Sequence, residues 1–341
     1  MAMVMPQSGR NWDLLIGDCR DMLATLTEQS VQTCITSPPY WGLRDYGVDG
    51  QIGLEETPDD FLAGMVDVFA AVWRVLRDDG TCWVNMGDSY AASTKRTGRN
   101  DAGNDFRPGR AAAGKATKHI VRSGLKPKDL CGMPWRLAFA LQSAGWYLRS
   151  DIIWSKPNPM PESCTDRPTK AHEYVFLLTK RPRYFYDADA VRETAEYGRR
   201  AWSCVESVLA AATTGSDARP HHGIRKAASV TGGDPGAGRN RRTVWTIPTQ
   251  AYSEAHFATF PEALVVPCVL AGSREGDTVL DPFTGSGTTG KVAVELGRRF
   301  VGCELSPEYA ELAAARIRNQ RKYAAPNDTT TTPLDGQGEL F

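Results

Sequence analysis

Residues 278–289 read TVLDPFTGSGTT: a short apolar run, an aspartate, and a loop with glycines at positions 285 and 287. An apolar run of this length that ends in a turn predicts a buried strand. Glycine tolerates backbone conformations that other residues avoid, so Gly285 and Gly287 permit a tight turn into a following helix and a close approach to a ligand. The stretch therefore predicts a strand, a glycine-rich loop and a helix in succession.

Outward from this stretch, strand-like runs alternate with helical patterns. The predicted strands are residues 12–18, 31–35, 81–88, 147–154, 174–178, 278–283 and 299–305. Thr57 and Pro58 begin a predicted helix in which apolar residues recur every three or four positions from Phe61 to Leu76, and Gly80 ends it. This alternation predicts an α/β fold: a Rossmann-like, mostly parallel sheet with helices on both faces. Ligands of such sheets bind at the carboxyl ends of the strands.

The composition excludes several classes of protein. The 341 residues carry 40 basic and 40 acidic side chains, so any affinity for nucleic acid must come from local clusters of charge. The eight cysteines form no C-x-x-C, which argues against a zinc module and a disulfide framework, and we predict no metal site. No signal pattern and no run of eighteen apolar residues occurs, so we expect a reduced cytoplasmic protein without a membrane partner.

Two segments interrupt the alternation and concentrate positive charge. Residues 91–129 contain ten basic and three acidic side chains, and residues 192–245 contain nine and five. Each segment is either a solvated insertion or a loop that neutralises phosphates. The candidate DNA contacts are Lys95, Arg96, Arg107, Arg110, Lys115 and Lys118 in the first segment and Arg199, Arg200, Arg225, Lys226, Arg241 and Arg242 in the second.

A second candidate for a ligand-binding loop, residues 36–41 (TSPPYW), follows the predicted strand 31–35. Its two prolines fix the backbone and remove two amide donors, so the loop is stiff. The Ser37 hydroxyl and the nearby carbonyl of Pro38 can accept hydrogen bonds at one spot, and Tyr40 offers an aromatic face. Such a loop suits an exocyclic NH2 group on a planar ring; a proline-rich turn without a ligand is the alternative.

Two carboxylates stand at the ends of other predicted strands. Glu304 lies about twenty residues beyond the glycines, an offset at which an acidic residue commonly accepts hydrogen bonds from ribose hydroxyls. Asp18 could accept from an adenine amino group, or it could cap the following helix.

The glycine loop has a competing interpretation as a P-loop. Gly285, Gly290 and Lys291 match the spacing of that motif, but Val292 stands where a Ser or Thr must bind Mg²⁺. ATP or GTP hydrolysis is therefore disfavoured. A plain strand-to-helix turn is the other alternative.

The two loops together resemble the motifs of DNA amino-methyltransferases, which methylate N6 of adenine or N4 of cytosine with S-adenosylmethionine. TSPPYW resembles their catalytic loop, D/N/S-P-P-Y/F/W, and residues 281–289 resemble their cofactor loop. The catalytic loop comes first, which is the permuted motif order of the β subgroup. Three other stretches also resemble sequences of this family: residues 154–161 (WSKPNPMP), 172–176 (HEYVF) and 256–261 (HFATFP). The resemblance covers roughly residues 11–320.

The resemblance implies roles for individual residues. The catalytic residues would be Ser37, Pro38, Pro39 and Tyr40. Ser37 and the carbonyl of Pro38 would accept the amino hydrogens, and Tyr40 would stack on a base flipped out of duplex DNA. The residues that would bind S-adenosylmethionine are Asp18, Phe257, Asp281, Phe283, Gly285, Gly287, Thr288 and Glu304.

The resemblance also implies a division of the chain. Residues 11–90 and 130–185 would form the catalytic half, 91–129 a basic insertion, 186–250 a target-recognition region, 251–322 the cofactor-binding half and 323–341 a disordered tail. Double-stranded DNA is the implied partner, and members with this motif order often form homodimers. A restriction-linked role and a solitary role share the same chemistry.

The target base is left open by these residues. Ser37 leans toward cytosine N4, because adenine enzymes more often carry Asp or Asn at this position. The larger number of adenine enzymes with this motif order leans the other way, and we place adenine N6 slightly first. Methylation of RNA or of a protein glutamine is a weaker alternative, since those enzymes place the catalytic loop after the cofactor loop. A DNA-binding protein without catalysis is another, although both motifs are intact.

Overall fold

One sheet organises the part of the chain that the computed structural model describes, residues 6–43, 45, 47–91, 124–193, 238–250 and 260–319. Its strands are β1 (Gln7–Gly9), β2 (Trp12–Ile16), β3 (Val31–Thr36), β4 (Leu76–Met86), β5 (Tyr147–Ser155), β6 (His172–Thr179), β7 (Val244–Thr246), β8 (Thr278–Asp281) and β9 (Arg299–Glu304). They are ordered β1-β2-β9-β8-β3-β4-β6-β5-β7 across the sheet.

The centre of the sheet is parallel, as predicted. Strands β2, β9, β8, β3 and β4 are joined by parallel pairings. Beyond β4, strand β6 runs antiparallel to both β4 and β5, while β7 pairs parallel with β5. Because β6 is reversed, its first residues lie at the same edge of the sheet as the carboxyl ends of the parallel strands.

Helices cover both faces of the sheet, which confirms the predicted fold class. They are α1 (Cys19–Ala24), α2 (Pro58–Val75), α3 (Met133–Ser143), α4 (Glu262–Gly272), α5 (Thr288–Glu295) and α6 (Pro307–Arg318). One apolar cluster joins α1, α2 and α3 to the sheet, and a second joins α4, α5 and α6 to it. Within the described ranges, no helix is long and apolar enough to cross a membrane.

Helix α2 begins as the sequence predicts. The Thr57 hydroxyl accepts a hydrogen bond from the Asp60 amide at 3.1 Å, and Pro58 occupies the first turn, where its missing donor does no harm. Phe61 and Phe69, on its apolar stripe, are fully buried. The helix thus derives its stability from the face it packs on the sheet.

The end of α2 differs from the prediction. The helix stops at Val75, not at Gly80, because Leu76 has an extended backbone and begins β4. Gly80 lies inside β4, where an added Cβ atom would stand 2.8 Å from the carbonyl oxygen of Gln32. The glycine is therefore explained by close packing within the sheet. Strand β4 accordingly spans residues 76–86 in place of the predicted 81–88.

Three strands that lead into loops end one or two residues earlier than predicted. Strand β2 ends at Ile16 because Gly17 has a φ of +146° and Asp18 caps α1. Strand β8 ends at Asp281, directly before Pro282, which has no amide donor for a ladder. Strand β9 ends at Glu304, which turns its carboxylate toward the glycine loop.

The packing of the buried face of α2 predicts the effect of a mutation on stability. The Phe69 ring is fully buried and meets Trp146 edge to face, with 6.4 Å between ring centroids. Phe69→Ala should lower the free energy of unfolding by about 3–5 kcal/mol, measured by urea titration. The matched control is Phe139→Ala on α3, where the side chain is 53% exposed, and its effect should stay within about 0.5 kcal/mol. Equal losses in the two variants would contradict this assignment of the core.

Candidate functional site

The described residues predicted to act in catalysis or cofactor binding meet at one edge of the sheet. They follow the carboxyl ends of β2, β9, β8 and β3, which are neighbours in the sheet. Asp18 follows β2, Glu304 ends β9, Asp281 ends β8, and Ser37 follows β3. This is the edge at which parallel α/β sheets bind ligands. Phe257 lies outside the described residues.

A hydrogen bond joins the two loops. The Thr36 hydroxyl, at the end of β3, donates to Asp281 Oδ1 at 2.7 Å, and the Phe283 amide donates to the same oxygen at 3.1 Å. Asp281 is fully buried, and this burial raises the pKa of its carboxyl to about 6 against the opposing effect of Thr36. The TSPPYW loop and the glycine loop are thus fixed to each other at their first residues.

The two glycines of the loop have different roles. Gly285 has a φ of +51°, and an added Cβ atom would find no heavy atom nearer than the Phe283 carbonyl oxygen at 4.0 Å. Gly287 has a φ of +80°, and its Cβ atom would stand 3.0 Å from Ala313 of α6. Gly287 is therefore required by helix packing, whereas Gly285 borders open space that a ligand can occupy.

Glu304 holds the glycine loop from the neighbouring strand. Its Oε2 accepts from the Gly285 amide at 2.8 Å, and its Oε1 accepts from the Ser306 amide at 2.9 Å. Burial raises the pKa of this carboxyl to about 7, although both amides oppose the shift. Each carboxylate oxygen retains a further lone pair, so Glu304 can still accept a hydroxyl group of a ligand.

Arg316 of α6 also holds this loop, a role that no pattern in the sequence indicates. Its guanidinium donates to Thr288 Oγ1 at 2.9 Å and to Ser286 Oγ at 3.1 Å, and it pairs with Glu262 of α4 at 2.9 Å. Lys291 pairs with the other oxygen of Glu262 at 2.6 Å. The lysine that a P-loop would direct at phosphates thus makes an ion pair between helices, which agrees with the rejection of that motif.

The TSPPYW loop is stiff and partly buried. Pro38 is buried, while Ser37, Pro39 and Tyr40 keep partial exposure. The Tyr40 hydroxyl donates to Glu173 Oε2 at 2.7 Å. Burial, followed by the negative charge of Glu173, raises the pKa of Tyr40 well above its ordinary value, so the phenol remains a protonated donor.

Glu173 is the centre of a small polar network at this edge. It forms an ion pair with Lys156, which follows β5, and accepts from Asn85 Nδ2 of β4 at 3.2 Å. The Lys156 ammonium also lies over the Trp154 ring, 4.2 Å from its centroid. Lys156 and Glu173 belong to the stretches that looked familial, but the sequence indicated no role for either.

Asp18 has the geometry of a helix cap. Its carboxylate accepts from the Arg20 amide at 2.8 Å and pairs with the Arg20 guanidinium at 2.5 Å. These contacts lower the pKa of Asp18, chiefly through the side chain of Arg20. The capping alternative is thus observed, and a role of Asp18 toward a ligand stays a prediction.

Two of the predicted DNA contacts lie in the described residues, next to β7. The Arg241 guanidinium lies 4.5 Å from the centroid of the Trp245 ring, and Arg242 pairs with Glu193 at 3.2 Å. Both contacts are made within the chain. The other ten basic residues, and the predicted tail 323–341, lie outside the described residues.

Comparison with known proteins gives consistent matches over most of the chain. A family model for DNA methylases of the N6/N4 type matches residues 31–315. The type II methyltransferase M.Cfr9I of Citrobacter freundii is 47% identical over 307 residues, which is 90% of this chain and 88% of that protein. The type II methyltransferase M.SmaI of Serratia marcescens is 47% identical over 312 residues, which is 92% of each.

Solved structures show the same fold. The PvuII DNA methyltransferase, described as cytosine-N4-specific, aligns with a TM-score of 0.60 at 18% identity, over 93% of this chain and 89% of that one. The protein TTHA0409 of Thermus thermophilus, complexed with S-adenosyl-L-methionine, aligns with a TM-score of 0.52 at 23% identity, over 91% of this chain and 97% of that one. At these identities the likeness concerns the fold alone.

The contacts of Arg316 predict a local change in stability. Arg316→Ala should speed amide hydrogen exchange in residues 285–289 by about tenfold, because the loop loses charge-assisted hydrogen bonds. Exchange followed by mass spectrometry measures this. Arg318→Ala, on the exposed side of the same helix, is the control and should leave the segment unchanged. Unchanged exchange in both variants would show that Arg316 does not hold the loop.

The raised pKa of Glu304 predicts a pH dependence of stability. Between its ordinary value of 4.5 and about 7, the folded chain binds a proton at Glu304 that the unfolded chain has lost. Stability from this group is therefore complete below pH 4.5 and is lost as the pH rises through about 7. Glu304→Gln does not titrate, so the stability of this variant relative to the unaltered chain should increase over the same interval. Urea unfolding at a series of pH values measures the difference, and a difference independent of pH would contradict the shift.

Proposed function

Because this chain belongs to the N6/N4 family of DNA methylases, we propose that its reaction site is the sheet edge at which TSPPYW meets the glycine loop. The cofactor is S-adenosylmethionine. The proposed reaction is methylation of the exocyclic amine of a base in double-stranded DNA. The observation that carries the proposal is the Thr36–Asp281 hydrogen bond of 2.7 Å, which fixes the two loops side by side.

The residues at the glycine loop fit S-adenosylmethionine. Open space at Gly285 allows a ligand to lie against the backbone, and Glu304 presents carboxylate oxygens to ribose hydroxyls. Phe283, which is partly buried, would pack against the cofactor. The complete proposed set is Asp18, Phe257, Asp281, Phe283, Gly285, Gly287, Thr288 and Glu304. When bound, the sulfonium supplies an electrophilic methyl group.

The TSPPYW loop would prepare the amine. The lone pair of an aromatic amine is delocalised into the ring, which makes it a poor nucleophile. The Ser37 hydroxyl and the Pro38 carbonyl would accept its two hydrogens and favour a pyramidal nitrogen. Such acceptors stabilise the positive charge that develops on nitrogen during attack, so no strong base is needed beforehand. Tyr40 would stack on the base and hold it in line.

For the target base we place cytosine N4 first and adenine N6 second. The preference for adenine depends on how many related enzymes act on each base, whereas Ser37 is a feature of this chain. A hydroxyl at this position, in place of the Asp or Asn of many adenine enzymes, supports cytosine. The cytosine-N4-specific neighbour is too distant in sequence to add weight beyond the fold.

The relatives at 47% identity are called type II methyltransferases, so we propose that this chain is the modification enzyme of a type II restriction–modification system. The target base must be flipped out of the duplex, which costs a few kcal/mol. Residues 91–129 and 186–250 would hold the DNA through the basic side chains named above. Residues 11–90 and 130–185 would form the catalytic half, and 251–322 the cofactor-binding half.

The direct test is incubation of the purified chain with methyl-tritiated S-adenosylmethionine and mixed-sequence duplex DNA. The DNA is then digested to nucleosides, which are separated by chromatography. We expect label in N4-methyldeoxycytidine; label in N6-methyldeoxyadenosine would reverse the order of the two bases. No label on DNA, with the cofactor still bound, would contradict the proposed function.

The roles in the TSPPYW loop predict a separation of catalysis from cofactor binding. Ser37→Ala and Tyr40→Ala should each lower methyl transfer by about a hundredfold or more, because an acceptor or the stacking surface is lost. Affinity for S-adenosylmethionine, measured by calorimetry, should be unchanged. Ser30→Ala, in the turn before β3 at the opposite edge of the sheet, is the control for a serine change and should retain full activity. Wild-type turnover by Tyr40→Ala would contradict the proposed stacking of Tyr40 on the base.

A further inference from the structure

We propose that Glu173 is a positioning residue, which orients Tyr40 toward the target base. The role rests on the proposed function, because it requires that Tyr40 stacks on a flipped-out base. Nothing in the sequence pattern assigns it: the two side chains are 133 positions apart and meet only through the sheet.

Tyr40 is anchored by Glu173 and by contact with Gly87. Its hydroxyl donates to Glu173 Oε2 at 2.7 Å, and its ring packs against Gly87. A Cβ atom on Gly87 would stand 2.8 Å from Tyr40 Cε2 and 3.3 Å from the carboxylate carbon of Glu173. The ring is therefore confined at its hydroxyl end and along one edge, while the residue keeps partial exposure.

Glu173 is itself anchored by residues of the neighbouring strands. Strand β6 supplies the carboxylate, and Glu173 pairs with Trp154 in the antiparallel ladder with β5. Lys156 holds Oε1 as an ion pair, and Asn85 of β4 donates to Oε2 at 3.2 Å. Asn85 also donates to the Tyr174 carbonyl at 3.1 Å, which fixes its amide. Three neighbouring strands thus hold one carboxylate in place.

These contacts determine how Tyr40 is oriented for the reaction. Tyr40 lies in a loop beyond the end of β3, outside the strand ladders. A ring that stacks on a base must be held at a defined tilt, since misplacement of a reacting group by about 1 Å can lower a rate a hundredfold. The rigid support comes from the other half of the sheet through Glu173. Lys156 offsets the charge of Glu173, which accepts the hydrogen bond from Tyr40.

The test measures kcat and KM in four variants of the full chain: Tyr40→Phe, Glu173→Gln, Glu173→Ala and the double variant Tyr40→Phe with Glu173→Ala. Tyr40→Phe and Glu173→Ala should each lower kcat about ten- to a hundredfold, the effect of losing one hydrogen bond to a charged group, with KM for S-adenosylmethionine unchanged. Glu173→Gln should lower kcat less than Glu173→Ala does, because its amide oxygen still accepts from Tyr40 although its amide nitrogen cannot accept from Lys156. The double variant should be no slower than the slower single variant, since both remove the same contact.

The control is Glu28→Gln, a change to an exposed glutamate that pairs with Arg74 at 3.8 Å, and it should leave kcat unchanged. Wild-type kcat in Tyr40→Phe, or multiplying losses in the double variant, would overturn the role of Glu173 while the proposed function stands. Absence of DNA methylation by the unaltered chain would instead remove the proposed function. Thermal unfolding of each variant identifies a folding defect, and if Glu173→Ala does not fold, Tyr40→Phe and Glu173→Gln decide the question.

Discussion

The hydrogen bond from Thr36 to Asp281 is the contact on which the site depends. It joins residues 245 positions apart in the sequence, and both are buried. A buried carboxylate without a partner is costly, so the bond favours the arrangement in which β3 and β8 end side by side. Each strand continues directly into one of the two loops. The spacing between the loops is thus set by strand pairing, and the order of the motifs along the chain has no influence on it.

Each of the two loops is supported by a separate polar network. Arg316, Glu262 and Lys291 support the glycine loop from the helices on one face of the sheet. Glu173 and Lys156 support the TSPPYW loop from the antiparallel strands beyond β4. The half-buried charges of both networks are stable because each has a charged partner. The division means that the two binding functions can be altered separately by mutation.

The sequence predicts those parts of the fold whose signal is local. Thr57 and Pro58 mark the start of α2, and an apolar run marks each central strand, so these elements are found close to their observed positions. Helix α4 was missed because it is apolar all round and holds Pro267, so it has no periodic pattern to detect. Gly80 was misread as a helix stop because a glycine required by sheet packing looks the same in sequence as one that ends a helix.

The same contrast holds for the site. The two loops were predicted because a strand, a turn and unusual residues stand together in each. Glu173 and Arg316 were missed because their partners are defined by sheet order and helix packing, which no short pattern records. A direct measurement of the site is photo-labelling of the chain with methyl-tritiated S-adenosylmethionine, followed by identification of the labelled peptide. We expect label on the Tyr40 ring, in the peptide that contains Ser37–Tyr40, since the cofactor held at the glycine loop must place its methyl group beside that loop. Tyr40→Ala, which keeps the cofactor but removes the ring, should leave that peptide unlabelled. Label confined to peptides distant from residues 36–41 and 281–289 would contradict the placement of the reaction at this edge.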